Sequence, residues 1–332
     1  MTGYISSYIS ALNLTRITNF LKNEGSYYFS LVSGKPRVSG LPWSISIEPT
    51  TSCNLRCPEC PSGLRQFTRP TGNLSLETFI QFLDPLSKHL IYLTLYFQGE
   101  PTLNREFIEM VKYARTKRIF VATSTNGHFL DDDNARQLVE SGLDRLIISL
   151  DGLDQETYEK YRVGGNITKV LSGIQNIIRW KEELHSRKPF VELQFLVLKT
   201  NEHQLTGLKA FSREMNVDKL TLKSAQLYHP ESSQFLTNLE EKSRYKPDET
   251  GKPVIKGKLP NRCHRLWHAA VITWDGKVLP CCFDKDASHA MGDLNEYSFS
   301  EIWQQPPYKD FRRNIFSCRK TIEICRNCNE GL

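Results

Sequence analysis

No stretch of the 332 residues approaches the ~20 consecutive apolar residues that a membrane-spanning helix needs. The first ten residues, MTGYISSYIS, lack the charged-then-apolar order of an export signal. No basic stripe interleaved with aromatic residues occurs, so the net charge of +6 points to no nucleic-acid partner, although it is compatible with an anionic substrate. What remains is the composition of a soluble globular protein, 39% hydrophobic and 24% charged. A disulfide framework is also disfavoured. Nine cysteines are an odd number, and without an export signal they fit a reducing cytoplasm and metal ligation better.

Three of those cysteines stand together in TTSCNLRCPECPSG, residues 50–63. Three residues separate Cys53 from Cys57, and two separate Cys57 from Cys60. A structural zinc site usually draws on two separated pairs, and a thioredoxin-like site on one pair. Three clustered thiolates without a nearby fourth ligand can hold three irons of a cubic cluster and leave the fourth iron open. The polar, turn-rich surroundings argue against three cysteines that merely pack.

A strand-then-helix rhythm starts at residue 43. SISIE (44–48), IYLTLYF (91–97), IFVATS (119–124), RLIISL (145–150), FVELQFLVL (190–198) and KLTLKS (219–224) read as strands. Helices are predicted over 75–88, 104–117, 131–142, about 154–161, about 167–185 and about 202–215, with Ser75 as an N-cap. Six strands alternating with helices imply a parallel sheet with right-handed crossovers. Six units are too few for a closed eightfold barrel. The predicted fold is therefore α/β, a partial (β/α)6 TIM-like barrel over residues 43–224. Active sites of such barrels form at the C-terminal ends of the strands, where the three cysteines lie.

Three further segments flank the barrel. Residues 1–42 form a helical extension whose apolar positions 5, 9, 12, 17, 20 and 21 predict a helix packed on the outside of the main domain. Membrane-surface binding is the weaker alternative, because its polar face is poor in lysine and arginine. Residues 225–262 read as a long polar connection. Residues 263–332 form a small α+β module with the other six cysteines. There Asp275-Gly276 signals a hairpin that brings Cys263 near Cys281, and Cys325 and Cys328 form a second pair. Four thiolates can complete one metal site, zinc or iron–sulfur.

Loops after the strands carry polar groups suited to a ligand. Gly99 in FQGEPTL permits close backbone approach, and Glu100 places a carboxylate at the reactive face. Ser149 and Asp151 point to one face by strand alternation and can hydrogen-bond a ribose. Arg162, in YEKYRVGG, suits a carboxylate.

Taken together, these motifs resemble the radical S-adenosylmethionine (SAM) enzymes. That resemblance implies a [4Fe–4S] cluster on Cys53, Cys57 and Cys60 whose open iron chelates SAM. It implies that the Gly99-Glu100-Pro101 turn receives the methionine amino group, here with Gln98 in place of the family's first glycine. STNG (124–127) resembles the family's Thr-Asn-Gly turn, with Asn126 among the cofactor contacts. Ser149, Asp151 and Arg162 would hold the SAM ribose and carboxylate. Glu59 stands where family members often carry an aromatic residue or methionine, so its backbone would bond the adenine while packing on the ring comes from elsewhere. The C-terminal module resembles the auxiliary-cluster modules called SPASM and twitch, with Cys263, Cys281, Cys325 and Cys328 holding a second [4Fe–4S] cluster in a single-cluster twitch form.

Cys282 should point away from that cluster and is read first as a packing residue, with substitute ligand or hydrogen-atom donor as alternatives. Cys318 is read first as packing, with ligand or donor as alternatives, and Asp284 as a proton acceptor. The implied reaction is reductive cleavage of SAM to a 5′-deoxyadenosyl radical that abstracts a hydrogen atom from substrate. An auxiliary cluster with all four positions filled favours electron transfer, hence net oxidation of a sugar-like or other small molecule. The alternatives are a maturase that crosslinks or epimerises a ribosomally made peptide, and a non-catalytic iron–sulfur or zinc scaffold. About 42 residues before the first strand are few for a leader-binding domain, which a separate protein could supply. A flavodoxin or ferredoxin would donate the electron, and no nucleic acid or membrane partner is expected.

Overall fold

The computed structural model describes residues 2–227 and 230–331, with the side chains of residues 2–5 and 230–232 outside that description. The connecting segment is thus described except at residues 228 and 229, and the predicted apolar contact of Ile5 lies outside the described residues. In chain order the elements are α1 (Thr2–Ser10), α2 (Leu14–Ser33), β1 (Ser44–Ile47), α3 (Pro61–Leu64), α4 (Leu76–Leu83), β2 (Tyr92–Leu95), α5 (Phe107–Thr116), β3 (Phe120–Thr125), α6 (Asp132–Glu140), β4 (Arg145–Ser149), α7 (Gln155–Glu159), α8 (Ile167–Glu183), β5 (Phe190–Val197), α9 (Leu205–Glu214) and β6 (Lys219–Ser224). A short hairpin, β7 (Tyr245–Pro247) and β8 (Pro253–Ile255), follows. The chain ends with α10 (Arg265–His268), β9 (Ala269–Ile272), β10 (Lys277–Leu279), β11 (Gly292–Asp293), α11 (Phe299–Gln304), α12 (Pro306–Cys318) and α13 (Glu323–Arg326).

Strands β1 to β6 lie in sequence order and pair in parallel. This is the partial barrel that the alternation predicts. Two-residue periodicity sorts the side chains. Ile45, Ile47, Leu93, Leu95, Val121, Leu146, Ile148, Val191 and Leu193 turn outward into one buried cluster with apolar residues of α4, α5, α6 and α8. Each such side chain contributes about 1.5–3 kcal/mol when fully buried. The opposite positions line the lumen and are mostly polar: Ser44, Ser46, Tyr92, Thr94, Ser124, Ser149, Glu192 and Gln194. There Arg145 pairs with Glu192 at 2.6 Å.

The C-terminal hairpin is continuous with this sheet. Strand β9 runs parallel beside β1, with Ser44 opposite Ala269, and β10 and β11 extend the sheet to nine strands. The hairpin turn is at Asp275-Gly276, where Gly276 adopts φ +92°, a conformation that favours glycine. Backbone hydrogen bonding along an otherwise open edge therefore fixes the module next to the first cysteine loop.

The N-terminal extension differs from the single outward-packed helix. The side chain of Asn13 caps α2 by accepting from the Arg16 amide, so two helices form with a break between them. Tyr8 packs on Phe120 and Tyr92 and closes the base of the lumen. Buried Arg16 donates to the carbonyls of Ala11, Ser87, Lys117 and Arg118 at 2.6–2.8 Å. Of the predicted apolar stripe, Ile9, Leu12, Ile17 and Leu21 are exposed, and Phe20 is turned inward onto Trp43. The inward face is polar because it meets carbonyl-rich chain ends rather than a helix layer. Periodicity alone therefore picked the wrong face. Likewise, the connection over 225–262 contains a hairpin, in which the Tyr245 hydroxyl accepts from the Leu227 amide.

Candidate active site and cluster-binding cysteines

The loop after β1 carries Cys53, Cys57 and Cys60, and α3 begins directly after it with Pro61 at its first position. Cys57 is buried, and the other two are half-buried. Burial pushes the Cys53 thiol up to about 12 and raises Cys57 as well, because a thiolate there loses water. A ligand set of this kind releases protons when metal binds. The loop is packed tightly, since a Cβ on Gly63 would lie 2.7 Å from the Cys57 amide nitrogen.

Loops after β2 and β3 clasp the cysteine loop. The Gly99 amide donates to Ser62 Oγ at 2.8 Å, and the Glu100 amide donates to the Ser52 carbonyl at 2.7 Å. Gly99 has φ +73°, and a Cβ there would lie 2.4 Å from the Thr50 carbonyl. Buried Glu100 accepts from Thr102 and Thr125 through one oxygen and from the Asn126 amide through the other. Its carboxyl is raised by burial, which those hydrogen bonds oppose. Glu100 thus joins the two turns before any ligand arrives. Nδ2 of Asn126 reaches Asn54 Oδ1 at 2.7 Å and lies 3.9 Å from Cys53 Sγ.

At the end of β4, Ser149 is buried. Asp151 is committed: Oδ2 accepts from Arg162 Nε at 2.6 Å, and Oδ1 accepts from the Leu196 amide at 2.7 Å. Each oxygen of Asp151 thus already holds one protein donor. Its geometry is that of a positioning residue for Arg162. Arg162 in turn places Nη1 3.9 Å from Cys57 Sγ and supplies positive charge beside the thiols.

The C-terminal thiols gather around Cys263. Cys263 and Cys328 are buried, and Cys281 and Cys325 are half-buried. Burial pushes Cys325 up to about 12, and Cys263 and Cys328 add like charge to it. Arg319, 1% exposed, donates to Cys328 Sγ at 3.3 Å, and its charge opposes the rise that burial gives Cys263. The chain end closes over this group: the His264 amide donates to the Gly331 carbonyl, and a Cβ on Gly331 would lie 2.7 Å from Cys263 Sγ. Among the described residues no three cysteine sulfurs lie within 4.8 Å of one another. A single tetrahedral zinc, with bonds of ~2.3 Å, needs sulfurs about 3.8 Å apart. Buried thiols, wider spacing and arginine charge suit a cluster of several irons in both sets.

Three more predicted residues stand in the module. Cys282 does not point away from Cys281: the two thiols act on each other, which raises Cys281 and lowers Cys282. Cys282 also accepts from Arg265 Nη1 at 3.4 Å and packs with Phe97 on the barrel side. Asp284 is buried, and its two oxygens accept from the Ser288 and His289 amides, which ties it to its own loop. Cys318 is exposed at the end of α12.

Sequence reasoning missed Arg319 and Lys285. Nζ of Lys285 lies 3.4 Å from the Glu59 carbonyl, and the charges of Cys60, Glu59 and Cys282 all act on it. Burial lowers it to about 8. It therefore spans the gap between the two cysteine groups and meets the carbonyl expected to bond adenine. The only available signal was its place in CCFDKD, three residues after Cys282.

Comparison with known proteins agrees with this geometry. Residues 47–179 match the radical SAM superfamily, and residues 263–329 match an iron–sulfur cluster-binding domain, SPASM. The chain is 27% identical over 296 residues to a tungsten-containing aldehyde ferredoxin oxidoreductase cofactor-modifying protein of Pyrococcus furiosus, covering 80% of this chain and 82% of that protein. It is 24% identical over 311 residues to a PqqA peptide cyclase of Gluconobacter oxydans, covering 86% and 82%. Among solved structures, SuiB of Streptococcus suis bound to S-adenosylmethionine superposes with a TM-score of 0.65 at 14% identity, over 94% of this chain and 77% of SuiB. BtrN in complex with AdoMet and 2-DOIA superposes with a TM-score of 0.54 at 20% identity, over 88% and 94%. The chain thus contains a radical SAM domain and a C-terminal SPASM domain, which imply a [4Fe–4S] cluster and SAM in the barrel and auxiliary iron–sulfur binding at the C-terminus.

Proposed function

We propose that this enzyme carries out a net dehydrogenation of a polar small molecule, with Cys53, Cys57 and Cys60 holding the SAM-binding cluster and Cys263, Cys281, Cys325 and Cys328 an auxiliary one. When bound, SAM and these clusters supply hydrogen-atom abstraction from an unactivated carbon and an acceptor for the second electron. The observation that carries the reading is the closed C-terminal site. Four thiols, Cys263 among them, can fill all four iron positions of one cluster, with Arg319 beside Cys328 and Gly331 against Cys263, so no iron is left for substrate to ligate. Outer-sphere electron transfer is what such a site can do.

The chain's own residues prepare the barrel for this chemistry. Glu100 holds the loops after β2 and β3 together, and Asp151 fixes Arg162 to receive the carboxylate of SAM. Ser149 and Asn126 face the same rim and complete the cofactor contacts. Polar lumen residues Ser46, Thr94, Ser124 and Gln194 offer hydroxyl and amide groups to a hydroxylated substrate. Lys285 stands between the cysteine groups, with Nζ 3.4 Å from the Glu59 carbonyl. A flavodoxin or ferredoxin supplies the first electron.

Peptide modification is the second reading. It is favoured by the likeness to a PqqA peptide cyclase and by an open cavity of about 600 Å³ lined by Lys199, Thr237, Asn238, Tyr245 and Lys246, beside the end of β5. The test is product analysis after a substrate screen under reducing, anaerobic conditions. Loss of two mass units from a small molecule supports dehydrogenation. Unchanged mass with deuterium uptake from heavy water, or a crosslinked peptide, overturns it.

A further inference from the structure

We propose that Glu24, His264 and His268 form a binding site for one zinc-class divalent cation, separate from both cysteine sets. One ligand atom from each of these residues lies within 4.8 Å of the other two, the only such group of three among the described residues. His264 and His268 are four positions apart across α10, so both imidazoles project to one side, with ring centroids 4.3 Å apart. Glu24 comes from the facing helix, α2. Its carboxylate oxygens lie 2.9 and 3.0 Å from Nε2 of His264. Two imidazoles and one carboxylate are a ligand set that zinc accepts, leaving a fourth position for water. Nitrogen and oxygen donors without thiolate also suit nickel or cobalt.

The surroundings hold the ligands in place. Trp43 stacks on His268 with centroids 4.7 Å apart and planes at 14°, and Tyr27 packs on His264 at 4.6 Å. All three ligands are partly buried, with 18% of the Glu24 side chain and 28% of the His264 side chain exposed. Nδ1 of His268 is buried without a hydrogen-bond partner. A histidine–carboxylate hydrogen bond alone would need only His264. The second imidazole at ligand distance is what a cation explains. Because Glu24 and His264 lie 240 residues apart, a bound ion would clamp α2 to the segment that begins at Cys263.

The test uses the anaerobic holoenzyme with its clusters intact. It is incubated with a small excess of zinc and desalted, and zinc and iron are counted by mass spectrometry. One zinc per chain is expected in addition to the iron, with a first shell of nitrogen and oxygen only in zinc-edge X-ray absorption. Glu24→Gln and His268→Ala should each keep their iron and lose the zinc, and zinc should raise the melting temperature of the parent protein but of neither variant. No retained zinc, a sulfur shell around it, or equal zinc in parent and both variants overturns the site.

Discussion

Nε of Arg162 lies 2.6 Å from Oδ2 of Asp151, and the same guanidinium reaches to 3.9 Å from Cys57 Sγ. The pair couples the end of β4 to the first cysteine loop. Asp151 is almost wholly buried and Arg162 nearly so, so the ion pair is shielded from water. Removing one partner of such a pair leaves a buried charge uncompensated. Asp151→Ala should therefore destabilise the protein by about 3 kcal/mol, as urea unfolding would measure. Arg162→Ala should weaken SAM binding with iron retained. Unchanged SAM affinity in calorimetry would remove Arg162 from the cofactor site.

Iron content separates the two cysteine groups. Reconstituted parent protein should hold about eight irons, as two clusters of four. Replacing Cys53, Cys57 and Cys60 together by alanine should leave about four and abolish SAM cleavage. Equal loss from both groups would show that the first loop is needed for the second site to fold.

Cys281 and Cys282 are adjacent thiols, and the charge of Cys263 acts on Cys281. Cys281→Ala should lose the auxiliary cluster, whereas Cys282→Ala and Cys318→Ala should keep it. Electron paramagnetic resonance of the reduced variants reads this directly. A cluster surviving in Cys281→Ala but lost from Cys282→Ala would exchange their roles.

Arg319 is the buried positive charge beside Cys263 and Cys328. Arg319→Met should lower the reduction potential of the auxiliary cluster, since negative charge added on reduction is no longer offset. Arg319→Lys should restore part of the shift. A potential that stays put in a potentiometric titration of Arg319→Met, with iron intact, would make the arginine purely structural.

Glu100 accepts from Thr102, Thr125 and Asn126, so its carboxylate fixes the turns before SAM arrives. Glu100→Ala should cost about 1–3 kcal/mol of stability through the stranded donors and should weaken SAM binding as well. Glu100→Gln, which keeps an acceptor oxygen, should recover most of the stability. A stable Glu100→Ala protein with parental SAM affinity would dismiss both roles.

Local patterns decided much of this protein. Alternation of apolar residues over four to eight positions fixes which strand faces turn outward, and N-cap residues such as Ser75 and Asp131 start the intervening helices where the sequence predicts. The spacings of Cys53, Cys57 and Cys60 and of Cys325 and Cys328 bring thiols together through short loops, so their chemistry is legible without a structure. Only the tertiary structure decided the rest, because it depends on contacts between distant residues. Lys285 meets the Glu59 carbonyl across 226 residues, and β9 joins the free edge of β1 by backbone hydrogen bonds that no side-chain pattern announces. Asp151 has the same composition and spacing whether it faces a ribose or an arginine. Its commitment to Arg162 and the Leu196 amide comes from where α7 and β5 pack against β4. The stripe on α1 and α2 turned outward for a related reason: a helix face buries what its neighbour can satisfy, and here that neighbour is a ring of carbonyls held by Arg16.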